Sequence, residues 1–185
     1  MSKNVDQLFL CNIIVPMDKR FRKATLSDID DVMAIIEDGR AFLKPQNGGQ
    51  WQDGYPNRDS LLNDISNENL YVILTSDNQI ASVAAFTYYE KDYDTLYEGA
   101  WLSDYPYMVM HRIAVKNEYR GQGYGKALFE LFIEVGKEKG YRSLRVDTHE
   151  NNKPMLSLLD KYGFKACGKA ILTPNKDRIV LEKLL

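Results

Sequence analysis

Apolar and polar positions along the 185-residue chain fall into segments that switch between helical and extended spacing. Ile29, Val32, Met33, Ile36 and Leu43 keep the three-to-four-residue repeat that turns one stripe of a helix toward a core. Ser27, with Asp30 three residues on, reads as the start signal of that helix, after a short strand from Phe21 to Ala24. A shorter helix, which Asn57 caps, runs through Leu61, Leu62 and Ile65. Leu70 to Thr75 and Ile80 to Tyr89 are rich in β-branched and aromatic residues and flank Ser76-Asp77-Asn78, which predicts a hairpin. The apolar run Tyr107 to Val115 predicts a strand, Tyr124 to about Lys139 a helix, and Ser143 to Asp147 a second strand. Phe164 to Leu172 with Arg178 to Leu184 predict a closing hairpin through Pro174-Asn175-Lys176.

No repeat, linker or low-complexity tract interrupts this order. A chain of this length suits one domain that buries roughly 70% of its unfolded surface. Residues 1–20 are expected to be an N-terminal extension, and 21–185 a single domain. Twenty-four Lys and Arg against 26 Asp and Glu leave a formal charge of −2, so nothing in the balance calls for nucleic acid or an anionic membrane. The two cysteines, Cys11 and Cys167, read as free thiols of a cytoplasmic protein. Leu8 to Pro16 is too short to span a bilayer and lacks the marks of an export signal.

The turn after the strand at Tyr107 to Val115 carries Arg120-Gly121-Gln122-Gly123-Tyr124-Gly125-Lys126. Its glycines let the backbone approach a ligand without intervening side chains. The helix that follows offers orphan N–H donors and a partial positive charge of about half a unit, a combination that suits phosphate. Lys126 opposes the helix dipole at a cost of about a few tenths of a kcal/mol, which a bound polyanion would offset. The spacing G-x-G-x-G is not the dinucleotide pattern G-x-G-x-x-G. Ala127 after Gly125-Lys126 rules out the Gly-Lys-Ser/Thr ending of a nucleoside-triphosphate loop.

Arg120-x-x-Gly123-x-Gly125, directly after a strand ending Arg112-Ile113-Ala114-Val115, resembles the acyl-CoA signature of the GNAT superfamily of N-acetyltransferases. The likeness continues through Ser143 to Asp147, Thr148 to Met155 and Leu158 to Phe164, which is similar to the family's second cofactor-contacting block. The resemblance implies an α/β (α+β) fold: a mixed, mostly antiparallel sheet with helices on both faces. Its two central parallel strands, 107–115 and 143–147, part to admit acyl-CoA. It implies transfer of an acetyl group from acetyl-CoA to a primary amine of a small molecule or peptide, by direct attack on the thioester. The backbone of Ile113, Ala114 and Val115 would pair with the pantetheine arm, the Ile113 N–H polarising the thioester carbonyl. Arg120, Gly121, Gln122, Gly123, Tyr124, Gly125 and Lys126 would take the pyrophosphate, and Asn152 would bond the cofactor while capping the helix ahead of Pro154.

An amine with a pKa near 10.4 is neutral only about once in a few thousand molecules at pH 7, so a base assists. His111 is the candidate: two residues before Ile113, it shares that residue's face on a regular strand, and imidazole chemistry suits the task. The alternative is a hydrogen-bonded core histidine; His149, past the neighbouring strand, is a second choice. In many members of the resembled family a tyrosine four residues before the Gly of the Gly-Phe pair protonates the departing thiolate. That position is Leu159 here, and Tyr162, one turn away, either substitutes or only packs. Trp51 and Tyr55 on the loop from Lys44 to Pro56 line the acceptor pocket or plug the core. Glu90, Asp92, Asp94, Glu98 and Asp104 form an acidic, aromatic-rich segment. It would draw cationic amines, or else be a solvated connection packed on the hairpin or on a second subunit in a homodimer. No metal is expected. The rival readings are a non-catalytic CoA-binding regulatory module and a phosphate-binding protein unrelated to CoA.

Overall fold

The structure, a computed structural model, describes residues 19–46 and 49–185. Cys11 and all but the last two residues of the N-terminal extension lie outside the described residues. Eight strands form one sheet: β1 (Arg20–Lys23), β2 (Leu70–Leu74), β3 (Ile80–Thr87), β4 (Glu98–Gly99), β5 (Tyr107–Val115), β6 (Ser143–Thr148), β7 (Lys165–Leu172) and β8 (Lys176–Leu184). Their spatial order is β1-β2-β3-β5-β6-β8-β7-β4, and every neighbouring pair with a described register is antiparallel except β5 and β6. Four helices cover it: α1 (Ile29–Leu43), α2 (Arg58–Ser66), α3 (Tyr124–Glu138) and α4 (Lys153–Lys161).

Periodicity explains which helix meets which face. Ala127, Leu128, Leu131, Phe132 and Val135 form the buried stripe of α3 and pack with Tyr71, Phe86, Met108 and Leu144. Val32, Ile35 and Ile36 of α1 and Leu61 and Ile65 of α2 pack on the opposite face with Val72, Val83 and Ala114. Strand β2 is buried at every position because alternate residues enter opposite cores, Tyr71 and Ile73 one, Leu70, Val72 and Leu74 the other. Fully burying each such side chain contributes about 1.5–3 kcal/mol. Gly136 sets how closely α3 approaches: a Cβ there would fall 2.7 Å from Leu144 Cδ2.

The helix-start pair lies two residues earlier than Ser27 and Asp30, at Thr25 and Asp28. Asp28 accepts from the Thr25 N–H at 2.7 Å and the Thr25 hydroxyl at 2.8 Å, and from Arg22 Nη1 and Nη2 at 2.6 and 2.8 Å. Both pairs fit the same sequence pattern, and the bidentate guanidinium on β1 decides between them. Asp30 instead pairs with Arg58 across α1 and α2. The segment after β3 is mostly exposed but anchored by aromatics: Tyr93 is buried, donates to Asp147 Oδ1 at 2.8 Å, and its carbonyl accepts from Trp101 Nε1 at 2.9 Å. Among the described residues no helix is long and apolar enough to cross a membrane.

The guanidinium of Arg22, with hydrogen bonds from Thr25, holds the Asp28 carboxyl at about 2, below its ordinary 3.8. A depressed carboxyl contributes stability that is complete above the unfolded value and is lost as pH falls through the folded one. Asp28→Asn is therefore expected to lower the unfolding free energy by about 1–2 kcal/mol at pH 7, a figure reduced for solvent screening. The variant should also lose less stability than the parent between pH 4 and pH 2. Urea denaturation at pH 7, 4 and 2 checks both.

Candidate active site

Strands β5 and β6 pair at only three positions, Tyr107 with Ser143, Met108 with Leu144 and Val109 with Arg145. Beyond Val109 they diverge, although β5 runs on to Val115 and β6 to Thr148. The edge of β5 from Met110 to Val115 thus faces a cleft of about 1140 Å³ instead of a neighbouring strand. Such an edge presents unpaired N–H and C=O groups to whatever enters.

A bulge shapes this edge. Val83 opposes Ala114 and Ala85 opposes His111, so β5 carries one residue more than β3 across that interval. Arg112 takes φ +53, a left-handed conformation that a side chain other than glycine adopts at a cost of about 1–3 kcal/mol. Its Nε lies 3.0 Å from Asp64 Oδ2 of α2, and both groups are nearly buried. Burial pushes the Asp64 carboxyl up, Arg112 opposing. Removing one partner of such a pair leaves an uncompensated charge. The bulge also corrects the expected parity: Ile113 packs with Met108 and Met110 on the α3 face, while Ala114 packs on the α1 face. His111 therefore points opposite to Ile113, because the extra residue reverses the alternation between them.

His111 sits between two carboxylates. Its Nε2 is 3.3 Å from Glu90 Oε2 and its Nδ1 3.6 Å from Asp147 Oδ1. Nε2 is buried and lacks an aligned hydrogen-bond partner among the described residues. The imidazole holds the Glu90 carboxyl below the usual carboxylate range, against the opposing effect of burial. Among the described residues no three ligating side chains are disposed to hold a metal ion. His149 is a turn residue whose Nδ1 accepts from the Asn151 N–H at 3.1 Å.

At the other end of the cleft, Gly121 and Gly123 adopt φ +77 and +83, and a Cβ built on Gly121 meets nothing within 4 Å. Gly123 caps α3, so the first-turn N–H groups of Tyr124, Gly125 and Lys126 open toward the space that Gly121 leaves free. Arg120 lines the cleft but gives one nitrogen to the Asp38 carbonyl at 2.5 Å and stacks on Phe42, so it also ties the turn to α1. Gln122 is not among the lining residues; its carbonyl accepts from Lys19. Asn152 combines its two readings: it lines the cleft, accepts from the Met155 N–H at 3.3 Å as cap of α4, and donates to Gln50.

Trp51 likewise has both roles. It is buried against α1, where a Cβ on Gly39 would come within 2.7 Å of its ring, and it lines the cleft with Tyr55. Arg40 fixes that loop through the carbonyls of Trp51 and Pro56 at 2.9 and 2.7 Å. Tyr162 is not brought to the cleft lining: it stacks on Phe129 and its hydroxyl donates to Glu130 Oε1 at 3.1 Å, while Leu159 is fully buried and Leu158 lines the cleft. Of the acidic segment, Glu90 and Asp92 line the cleft, Asp94 accepts from Tyr89, and Glu98 pairs with Lys169. Asp147, Arg112, Lys176 and Arg178 also line it and were not singled out from sequence. A position at the C-terminal end of a parallel strand points to Asp147; the other three carry no local signal.

The Acetyltransferase (GNAT) family profile matches residues 36–164. A GNAT-family acetyltransferase from Streptococcus agalactiae is 34% identical, with 90% of this chain and 95% of that one covered and a TM-score of 0.81. A Bacillus subtilis protein provisionally named a [ribosomal protein bS18]-alanine N-acetyltransferase is 28% identical over 80% of this chain and 81% of its own. PaiA N-acetyltransferase from Thermoplasma acidophilum, solved in complex with coenzyme A, shares the fold at TM-score 0.65 and 19% identity, covering 91% of this chain and all of that one. On the profile match and the Streptococcus agalactiae likeness together, the chain belongs to the GNAT acetyltransferase family.

Proposed function

We propose that this protein transfers the acetyl group of acetyl-CoA to a primary amine. The observation that carries the reading is the parting of β5 and β6 beside a glycine-lined helix N-terminus, one continuous cleft with an open backbone edge and a phosphate seat. When bound, the thioester supplies an activated acetyl group: the amine nitrogen bonds the acetyl carbon while the carbon–sulfur bond breaks and its electron pair leaves on sulfur. Backbone donors of Gly121 to Lys126 hold pyrophosphate. The bulged edge at Ile113 to Val115 aligns the pantetheine arm and offers an N–H to the developing oxyanion. His111 takes the proton of the incoming ammonium, and Glu90 and Asp147 on either side hold the imidazole and stabilise it when charged. At the position where the family carries a tyrosine, Leu159 has no acidic hydrogen, and the candidate substitute Tyr162 is bonded to Glu130, so in this reading the thiolate leaves without either. The same two residues motivate the rival, a CoA-binding module without catalysis; release of free thiol from acetyl-CoA across a panel of amines separates the two.

Two substitutions test the assignment. Val at position 123 would occupy a left-handed φ and stand in the phosphate seat, so Gly123→Val is expected to weaken acetyl-CoA binding by about tenfold or more. Lys126→Ala should cost less, since Lys126 is half exposed and its Nζ is 3.7 Å from Glu130. Calorimetry ranks the pair, and a folded Gly123→Val that binds like the parent sinks the phosphate seat. His111→Gln is expected to lower kcat by about 10²- to 10⁴-fold with little change in acetyl-CoA affinity. A fall in stability with unchanged kcat would return His111 to a packing role.

A further inference from the structure

The acceptor end of the cleft is not simply acidic. Asp53, Glu90, Asp92 and Asp147 line it, but so do Arg112, Lys176 and Arg178. The two arginines are poorly matched by the protein itself. Arg178 is more than nine-tenths buried, yet its Nε lies 3.7 Å from Asp147 Oδ2, its Nη1 donates to the Asp177 carbonyl, and Nη2 has no hydrogen-bond partner among the described residues. Arg112 meets Asp64 through Nε, which leaves both η nitrogens without a hydrogen-bond partner there. These η nitrogens are not buried atoms but open on the cleft, where the planar fork of a guanidinium matches a carboxylate.

The cations stand close to the groups that would receive the amine. Arg178 and His111 share Asp147, at 3.7 and 3.6 Å, and Arg112 adjoins His111 in the chain. Arg112 and Lys176 flank the Tyr55 ring at 5.6 and 5.1 Å. The same end is roofed: Lys176 of the β7–β8 hairpin pairs with Asp53 of the Trp51 loop at 2.6 Å, and Asp92 accepts from the Thr173 N–H at 2.7 Å. This bridge narrows the acceptor end, which favours a small molecule over a peptide. Resting on the acetyltransferase reading, we infer that the acceptor is a small free amino acid, its amine directed to His111 and Glu90 and its carboxylate held by Arg178 and Arg112 with Lys176.

Initial rates with acetyl-CoA test this on the twenty L-amino acids, their carboxamides and short peptides. A charge-assisted fork should give the best amino acid a kcat/KM at least about tenfold above its carboxamide. Arg178→Gln should bring that ratio to within about threefold of unity; the ratio normalises any general damage through Asp147. Lys176→Gln, nearer the surface, should lower it in part, and serves if Arg178→Gln does not fold. Carboxamides or peptides that equal or exceed the amino acids in the parent overturn the inference, as does an unchanged ratio in folded Arg178→Gln. Failure to acetylate any amino acid while calorimetry shows acetyl-CoA binding also overturns it. Absence of acetyl-CoA binding instead removes the underlying acetyltransferase reading.

Discussion

Everything at the site depends on three strand pairs and no more. Had β5 and β6 stayed hydrogen-bonded past Val109 and Arg145, their backbone groups would satisfy one another and no cleft would exist. Parting leaves those groups facing the cleft, a loss that a ligand lying along the edge would make good. The divergence is stabilised from outside: β5 keeps its ladder to β3 up to Val115, and β6 keeps its ladder to β8 up to Thr148. Each strand is thus held on its far side while the near sides separate, and the packed helices on both faces keep the opening fixed.

The bulge at Arg112 adds a second constraint. Its left-handed backbone is unfavourable alone, and the ion pair to Asp64 ties it to α2. That pair is a positioning device more than a source of stability, since burial of both groups offsets much of their attraction. The consequence is geometric: Ile113 turns to the α3 face while His111, Glu90 and Asp147 gather on the other. The side chains of Ile113 and His111 thus lie on opposite faces of β5, while its backbone edge and the His111 cluster line the same cleft.

Periodicity made the first three helices and both hairpins legible, because each is a local pattern with a buried face, whereas the parallel pair was legible only through the family resemblance. The glycine turn was legible for the same reason: Gly121 and Gly123 occupy left-handed conformations that residue type alone announces. The bulge was not, since Tyr107 to Val115 reads as an unbroken strand and an extra residue beside His111 and Arg112 leaves no distinct mark on its spacing. That omission put His111 on the face of Ile113. The cap misplaced by two residues shows the same limit, as Thr25 with Asp28 and Ser27 with Asp30 differ only in what Arg22 reaches. Lys176 and Arg178 were read as turn and strand residues, for their meeting with Tyr55 and Asp147 is made by topology, which sets β8 beside β6.

Residue-resolved amide hydrogen exchange, with and without acetyl-CoA, tests the open edge most directly. The account predicts that exchange slows in residues 110–115, foremost at Ile113, and in the turn from Gly121 to Lys126, while β2 amides stay as they were. Unchanged exchange along 110–115 under saturating acetyl-CoA, with protection appearing elsewhere, would contradict it.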